Sequence, residues 1–412
     1  MRDDAKTISR CEVCGARDLP LALDLGRHPL CDDLVPIGDP RTCREYPIEI
    51  LFCDNCVTAH QRFQVPKATL FPPSYHYRAR QTADVLNGMR DLMLAYEAAF
   101  GPVAGRRVLD IGCNDGSLLS IFRENGALTF GVEPTDAARD AIAGGHAVIH
   151  DFFSEDIATD FLERYGRPDV ICFTNVFAHI DDLRSLIDNL RILIGPETTV
   201  VIENHYLGAI IDKYQFDTFY HEHPRTYSYT SFRHIAEKLG MSIAEVEFPR
   251  RYGGNIRVFL RSKSVAQASD DKPLREREAS YGRALRNLPA AVAAWRVNKL
   301  DELGAEFARH GSLPAKAFPG RAAILLKLLG LDASRIEAVY EKPGSMKIGH
   351  YLPGTRIPIR SDDDFRAADM SERPLINLAW HIPAEIHAYM RQRGYSGRII
   401  DIVGADDFRP RH

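Results

Sequence analysis

Hydrophobic and polar positions change texture along the chain, and each texture predicts a different architecture. Between residues 106 and about 265, short apolar runs alternate with amphipathic ones. Val108–Ile111, Thr129–Val132, His146–Ile149, Val170–Phe173, Thr199–Glu203 and Ile256–Leu260 read as strands. Ser117–Glu124, Asp136–Gly144, Ile157–Tyr165, Leu183–Ile194 and Ser231–Leu239 read as the intervening helices. Such alternation predicts a doubly wound α/β sheet. Upstream, the stretch from roughly Thr82 to Phe100 places Val85, Met89, Leu92, Met93 and Tyr96 on one helical face. It follows an aromatic-rich loop, Phe71 to Arg78, that prolines hold out of helix. Downstream, Lys272 to Leu303 is charged, lacks any strand-like run and reads as a linker helix. Residues 315–404 then repeat the α/β grammar: strands Ala315–Phe318, Ile336–Tyr340 and Pro374–Ala379, with helices near Arg321–Leu329 and Ile382–Gln392. This is a second, smaller α/β domain.

Composition narrows the class without changing that picture. At 412 residues the chain is too long for one ordinary domain. Apolar content of 45% and charged content of 26% are those of a globular protein. A net charge of -4 gives no electrostatic footprint for nucleic acid. No apolar run reaches the roughly eighteen residues of a membrane span. The polar start, Met1-Arg2-Asp3-Asp4, is unlike a secretory signal, so a cytoplasmic location is expected.

Cysteine placement adds a third unit. Six of the eight cysteines fall in the first 70 or so residues, among them the pairs Cys11-Glu12-Val13-Cys14 and Cys53-Asp54-Asn55-Cys56. A C-x-x-C turn aims two thiolates at one point, and two such turns supply the Cys₄ tetrahedron that Zn²⁺ prefers. The long spacing between the pairs implies a hairpin-bearing insertion, with Tyr46–Phe52 as the strand that delivers the second pair. The alternative is two incidental turns with free thiols. Structural zinc held by Cys11, Cys14, Cys53 and Cys56 would supply stability that so small a segment lacks. Cys31, Cys43, His28 and His60 are spare ligand types without an assigned role. The expected division is therefore a zinc-binding domain over residues 1–70, a Rossmann-like domain over 71–265, and a helical linker with the C-terminal α/β domain over 266–412.

The middle domain is organised around Val108 to Ser117, a buried strand that runs through Asp110 into Gly112-Cys113-Asn114-Asp115-Gly116 and then a helix. A strand, glycine turn and helix hold nucleotide-like ligands at the carboxyl edge of a parallel sheet, because glycine lets the backbone approach closely. The run lacks both the full dinucleotide pattern and the lysine of a phosphate loop. Glu133 ends the next strand, where an acid accepts hydrogen bonds from a ribose diol. This pairing favours S-adenosylmethionine (SAM) over NAD; an ordinary buried strand-to-helix turn is the alternative.

Two further stretches carry proton-transfer chemistry. Asn175 and His179 leave the fourth strand, where side chains face the cofactor crevice or pack at an interface. Tyr220-His221-Glu222-His223, beyond the fifth strand, offers a proton donor, a base and a carboxylate. Its histidines are two apart and precede Pro224, which is wrong for a catalytic zinc on a helix.

With these residues in order, the chain resembles the SAM-dependent C-methyltransferases that act on nucleotide-linked 4-keto deoxysugars. The resemblance spans nearly the whole length. It includes the two C-x-x-C pairs with Leu25-Gly26 and Pro29-Leu30 between them, Tyr75-His76-Tyr77-Arg78, Asp110 to Gly116, and Asn175 with His179. It continues through Glu203, Tyr220 to His223, Tyr252-Gly253-Gly254 and Leu352 to Pro358. It implies that the zinc domain covers the substrate, that the middle domain binds SAM through Asp110, Gly112, Asn114, Gly116, Glu133 and Asn175, and that the C-terminal domain helps hold a TDP- or GDP-linked sugar. The implied reaction is methyl transfer to C3 through an enolate. His223 is the implied base, Tyr220 and Glu222 orient it or polarise the keto oxygen, and His179 with Tyr75 or Tyr77 binds or protonates the 4-oxygen. The enzyme would act as a monomer or homodimer, with no nucleic acid or membrane partner. Methylation of a sugar hydroxyl, or a non-catalytic zinc- and SAM-binding scaffold, are the competing functions. One departure stands out: the expected glycine-rich opening of the C-terminal domain reads Ala317-Phe318-Pro319-Gly320-Arg321-Ala322, which stiffens the turn and puts the usual substrate in question.

Overall fold

The computed structural model describes residues 5–73, 75, 77–262, 271–365 and 373–409; Ser74 and His76 of the aromatic loop lie outside them. Its centre is a seven-stranded sheet built on Arg107–Ile111, which pairs in parallel with Leu128–Val132 on one side and Val170–Thr174 on the other. Ala147–Ile149 extends one edge and Thr199–His205 the other, both in parallel. Val108, Leu109, Val170, Ile171, Val200 and Val201 are fully buried, as strands covered on both faces must be. Helices Ala83–Phe100, Ser117–Glu124, Glu155–Tyr165 and Leu183–Leu193 supply that cover.

The far edge departs from the predicted pattern. Asn255–Ser262 runs antiparallel to Thr199–His205, and a strand that the sequence pattern left out, Met241–Glu247, pairs antiparallel beyond it. Met241 and Ile243 flank the polar Ser242, but Ala244, Glu245, Val246 and Glu247 break that alternation, so the apolar period is weak. The Arg251–Gly253 turn between these strands holds Tyr252 at φ 54°.

The N-terminal sheet is not self-contained. Leu21–Pro29, Glu45–Cys53 and Thr58–Gln61 form an antiparallel meander, and its edge is completed by Arg225–Thr226 from the middle of the chain. His60 faces Arg225 in that register. The stretch carrying Tyr220 to His223 is thereby fastened to the cysteine domain one residue after Pro224.

The helix expected as a linker is a spine. Tyr281–His310 follows the short Lys272–Glu278 helix and buries Leu285, Leu288, Trp295 and Leu303 against the rest of the molecule. Trp295 Nε1 donates to the Ile402 carbonyl at 2.9 Å. The C-terminal domain is a five-stranded parallel sheet with Leu313–Lys316 at its centre, flanked by Ile336–Glu341 and Leu375–Asn377. Among the described residues no helix is long and apolar enough to cross a membrane.

Candidate active site

The four cysteines of the two C-x-x-C pairs converge with all sulfurs within 4.8 Å of one another. Sγ of Cys11 lies 3.4 Å from that of Cys56, and Sγ of Cys14 lies 3.5 Å from that of Cys53. Four sulfurs at about 2.3 Å from a central zinc would stand about 3.8 Å apart, so the cluster fits the ion. The donor chemistry agrees: four cysteine sulfurs held this close are the donor set that a zinc dication takes. The Cys14 backbone N–H points at the Cys11 sulfur at 3.4 Å, and His60 Nε2 lies 3.3 Å from the same atom. His60 is thus a core histidine seated against the metal ligands.

At the glycine turn, Gly112 has φ 78°, and a Cβ there would stand 2.5 Å from Val176 Cγ2. Only glycine fits, and the turn lies tight on the segment that leaves the neighbouring strand Val170–Thr174. Gly116 has φ 77° and starts the following helix; its bare face packs on Ala141 and His146. Asp110 is 3% exposed with one oxygen unpartnered, and burial raises its carboxyl well above the usual range. Glu133 accepts from the Thr135 N–H at 2.9 Å, the Thr135 hydroxyl at 2.5 Å and the Asn114 N–H at 3.0 Å. A carboxylate offers about four acceptor positions, so one remains open after these three donors. Asn114, by contrast, spends its side chain on the aromatic loop: its Oδ1 accepts from Ala79 N and its Nδ2 donates to the Tyr77 carbonyl. Asn175, at φ 55°, accepts from Asn255 Nδ2 at 3.2 Å.

Across the same sheet edge the histidines meet. The His223 ring lies 5.1 Å from that of His179 and 5.1 Å from that of His205, and Tyr220 packs on it at 4.2 Å. Phe71 stacks on the other side of His179 at 5.1 Å. His223 Nδ1 is 3.1 Å from the Thr218 carbonyl oxygen, which can only accept, so Nδ1 carries the hydrogen and Nε2 is the basic nitrogen. Thr218, rather than Glu222, orients the imidazole. Glu222 turns the other way and accepts from Tyr75 Oη at 3.5 Å. Tyr77 Oη lies 3.3 Å from Tyr252 Oη, on the rim of the crevice. His221 leaves the cluster altogether and bonds to the Tyr46 carbonyl of the N-terminal sheet at 3.1 Å.

Three family models match the chain in series. They describe a zinc binding domain over residues 11–71, a methyltransferase domain over 76–246 and a C-methyltransferase C-terminal domain over 250–402. C-methyltransferase NovU of Streptomyces niveus is 27% identical over 394 residues, covering 94% of this chain and 93% of NovU. Together these matches support a SAM-dependent C-methyltransferase. Similar solved structures include magnesium protoporphyrin IX methyltransferase from Synechocystis PCC 6803 with bound SAM, 16% identical with a TM-score of 0.32 over 43% of this chain and 80% of that one. Another is the PH0226 protein from Pyrococcus horikoshii OT3, 13% identical with a TM-score of 0.36 over 48% and 98%. The methyltransferase uses SAM as cofactor, and its four-cysteine cluster is the zinc site.

Electrostatics set the protonation states inside the crevice of the methyltransferase. Burial lowers His179 to about 4 and His205 to about 3, and holds His223 well below its ordinary value. The cluster is therefore neutral near pH 7, so His223 is in its accepting form. Burial also raises Glu222 well above the carboxylate range, with the Asp32 charge adding to it. Tyr75 and Tyr220 are raised as well by burial and stay protonated.

Three residues near the His223 cluster were not among the predicted site residues. His205 is the last residue of the fifth strand, and the same crevice rule that selected His179 would have found it. Tyr252, 5.7 Å from His205, is placed by a left-handed backbone that no short-range pattern announces. Arg321 comes from the C-terminal domain: its Nη1 donates to Thr218 Oγ1 at 2.7 Å. Only the tertiary fold brings it there.

Proposed function

We propose that the methyltransferase alkylates C3 of a nucleotide-linked 4-keto deoxysugar through a base-generated enolate. The observation that carries this reading is the His223 tautomer. A neutral imidazole with its Nδ1–H anchored on Thr218 presents Nε2 to a buried crevice, where a carbon acid needs a base. In this reading residues 1–70 cover the sugar, 71–265 hold SAM and 266–412 help hold the nucleotide. SAM supplies an electrophilic methyl group on a sulfonium. His223 Nε2 removes the C3 proton, and the electron pair moves through the carbonyl to its oxygen. His179, Tyr75 and Tyr77 are the candidate donors to that oxygen, and Tyr220 packs against the base and fixes its plane. Glu222, hydrogen-bonded to Tyr75 and kept protonated by burial, supports that tyrosine as a donor.

The test is solvent deuterium exchange at C3 of a TDP- or GDP-linked 4-keto deoxysugar, with and without SAM. Wild-type enzyme is expected to exchange the hydrogen and then fix a C-methyl group. His223→Ala is expected to lose about 10²- to 10⁴-fold in both steps. Exchange that survives in His223→Ala would assign the base elsewhere. A product with its methyl on oxygen would establish the hydroxyl-methylating alternative.

A further inference from the structure

We propose that Arg321, presented by the opening turn of the C-terminal domain, is the cationic donor to the oxygen that becomes negative during deprotonation, and that it also braces the base. This rests on the enolate reading above.

Arg321 sits where the family resemblance led to the expectation of a glycine-rich turn. The turn is unusual in its backbone. Ala317, a residue with a Cβ, stands at φ 61°, the left-handed region that non-glycine residues rarely adopt. It is held there by neighbours: the Phe318 N–H donates to Glu341 Oε1 at 2.6 Å, and Ala322 N–H closes the turn on the Pro319 carbonyl at 2.8 Å. Gly320 allows the turn to reach the N-terminal domain, since a Cβ there would lie 3.0 Å from Cys31 Cβ. The strained turn therefore delivers its next residue to the junction of all three domains.

There the Arg321 side chain is only 8% exposed. Its three nitrogens have different fates. Nη1 donates to Thr218 Oγ1 at 2.7 Å, and Nε lies 3.4 Å from Asp217 Oδ2, which Trp380 Nε1 also approaches at 2.9 Å. The guanidinium stacks 5.5 Å over the Trp380 ring. Nη2 is buried and has no partner among the described residues. A buried guanidinium N–H without an acceptor costs stability unless something completes it. Asp217 neutralises only one edge, so the free edge matches an anion. The Thr218 that Arg321 grips is the residue whose carbonyl holds His223 Nδ1. One cation thus acts on the base through Thr218 while its Nη2 stays buried and unpartnered. Its charge is among the causes that lower His205, His223 and His381. His223 is otherwise faced by His179, His205 and Tyr220.

The step balances within the site. The C3–H bond breaks and its proton passes to His223 Nε2. The C–H pair forms the C3–C4 double bond, and the carbonyl pair settles on oxygen, where Arg321 Nη2–H donates to it. When C3 bonds to the methyl carbon, the carbonyl re-forms and the departing pair stays on sulfur.

Arg321→Gln and Arg321→Lys, each checked for native circular dichroism, are assayed for C3 exchange and methylation, and histidine titrations are followed by NMR. Arg321→Gln is expected to slow exchange by about 10²-fold with KM changed far less, the loss seen for one oxyanion donor. Arg321→Lys, which keeps the charge, is expected to recover part of it. Removing the cation is also expected to shift the histidine titrations, and the acid limb of exchange, to higher pH. Exchange within about threefold of wild type, or slowed exchange with unmoved histidine titrations, would overturn the proposal. Wild-type enzyme that exchanges no 4-keto sugar nucleotide would sink the substrate reading instead, and unmoved histidine titrations in Arg321→Gln would then sink Arg321 as well.

Discussion

Replacing Glu12 by Gln should destabilise the protein far more than its position beside a surface zinc knuckle suggests. Glu12 stands between the first two metal ligands, and its Oε2 accepts from Arg225 Nη1 at 2.5 Å and from Gln64 Nε2 at 2.7 Å. The Arg225 side chain is fully buried; its Nε donates to Tyr227 Oη at 2.9 Å, and its Nη2 to the carbonyl of Ile180, the residue after His179. Arg225 is also two residues after His223. The pair therefore ties the zinc site to both histidine-bearing segments. Burial pushes the Glu12 carboxyl up, but Arg225 and Gln64 outweigh it and hold the group below its ordinary 4.5. Removing one partner of a buried pair costs about 3–5 kcal/mol, because the other charge is left uncompensated. Glu12 is 14% exposed, so the lower end, about 3 kcal/mol, is expected. The assay is urea unfolding followed by circular dichroism and tryptophan fluorescence, with bound zinc counted in parallel. The double variant Glu12→Gln/Arg225→Met removes both charges and should regain much of the loss. Destabilisation below about 0.5 kcal/mol, the worth of an exposed pair, would refute the argument. The sign of the pH effect is a second check. A depressed acid contributes stability above its unfolded value of 4.5 and loses it as pH falls through the folded value.

Three other outcomes follow from the geometry. Stripping zinc with a chelator should release about one ion per chain and abolish methylation, because the meander that the metal closes also pairs with Arg225–Thr226; activity that persists in metal-free protein would show that the sheet stands alone. Stability should fall as pH drops from 6.5 toward 4: burial lowers His28, His179 and His221 to about 4 and His205 to about 3, so the unfolded chain binds protons that the fold refuses. Each contributes up to about 1.4 kcal/mol per pH unit, and a flat stability profile in pH-dependent melting would contradict their burial as neutral rings. Gly112→Ala should weaken SAM binding at least tenfold by calorimetry, since its Cβ would lie 2.5 Å from Val176 at φ 78°, whereas Gly15→Ala, at φ 84° with no neighbour within 4 Å, should leave SAM binding intact.

What the sequence made legible was what repeats or what is short-range. The strands Val108–Ile111, Val170–Phe173 and Thr199–Glu203 were visible because burial on both faces makes them near-continuous apolar runs. The cysteine pairs were visible because ligand spacing is local chemistry. Met241–Glu247 was not visible, since an edge strand with one wet face carries a weaker apolar period. The role of Tyr281–His310 was misjudged for a related reason. Its charged residues are spread along the whole run and many of its apolar ones are alanines, while Trp295 and Leu303 bury a narrow stripe whose partners lie far away in sequence. In the Tyr220–His223 block the residue types were legible but their directions were not. Glu222 and His221 point to Tyr75 and Tyr46, and only His223 and Tyr220 face each other.

On the proposed mechanism, those directions explain why one proton transfer would draw on three domains. A parallel sheet can hold SAM at its carboxyl edge and can offer His179 and His205 from strand ends. It cannot fix a base on the opposite wall, because the chain from Phe216 to Pro224 is neither strand nor long helix and has few backbone partners of its own. Its partners come from outside. Gln61 of the zinc domain donates to the Phe219 and Tyr220 carbonyls at 3.1 and 3.3 Å, and its N–H bonds the Pro224 carbonyl at 2.9 Å. Arg321 and Trp380 of the C-terminal domain hold Thr218 and Asp217. The segment that carries His223 is therefore clamped from both ends by domains that contribute none of the cofactor fold. Loosening either clamp should displace His223 without disturbing SAM binding, and that separation is what distinguishes a positioning role from general stability.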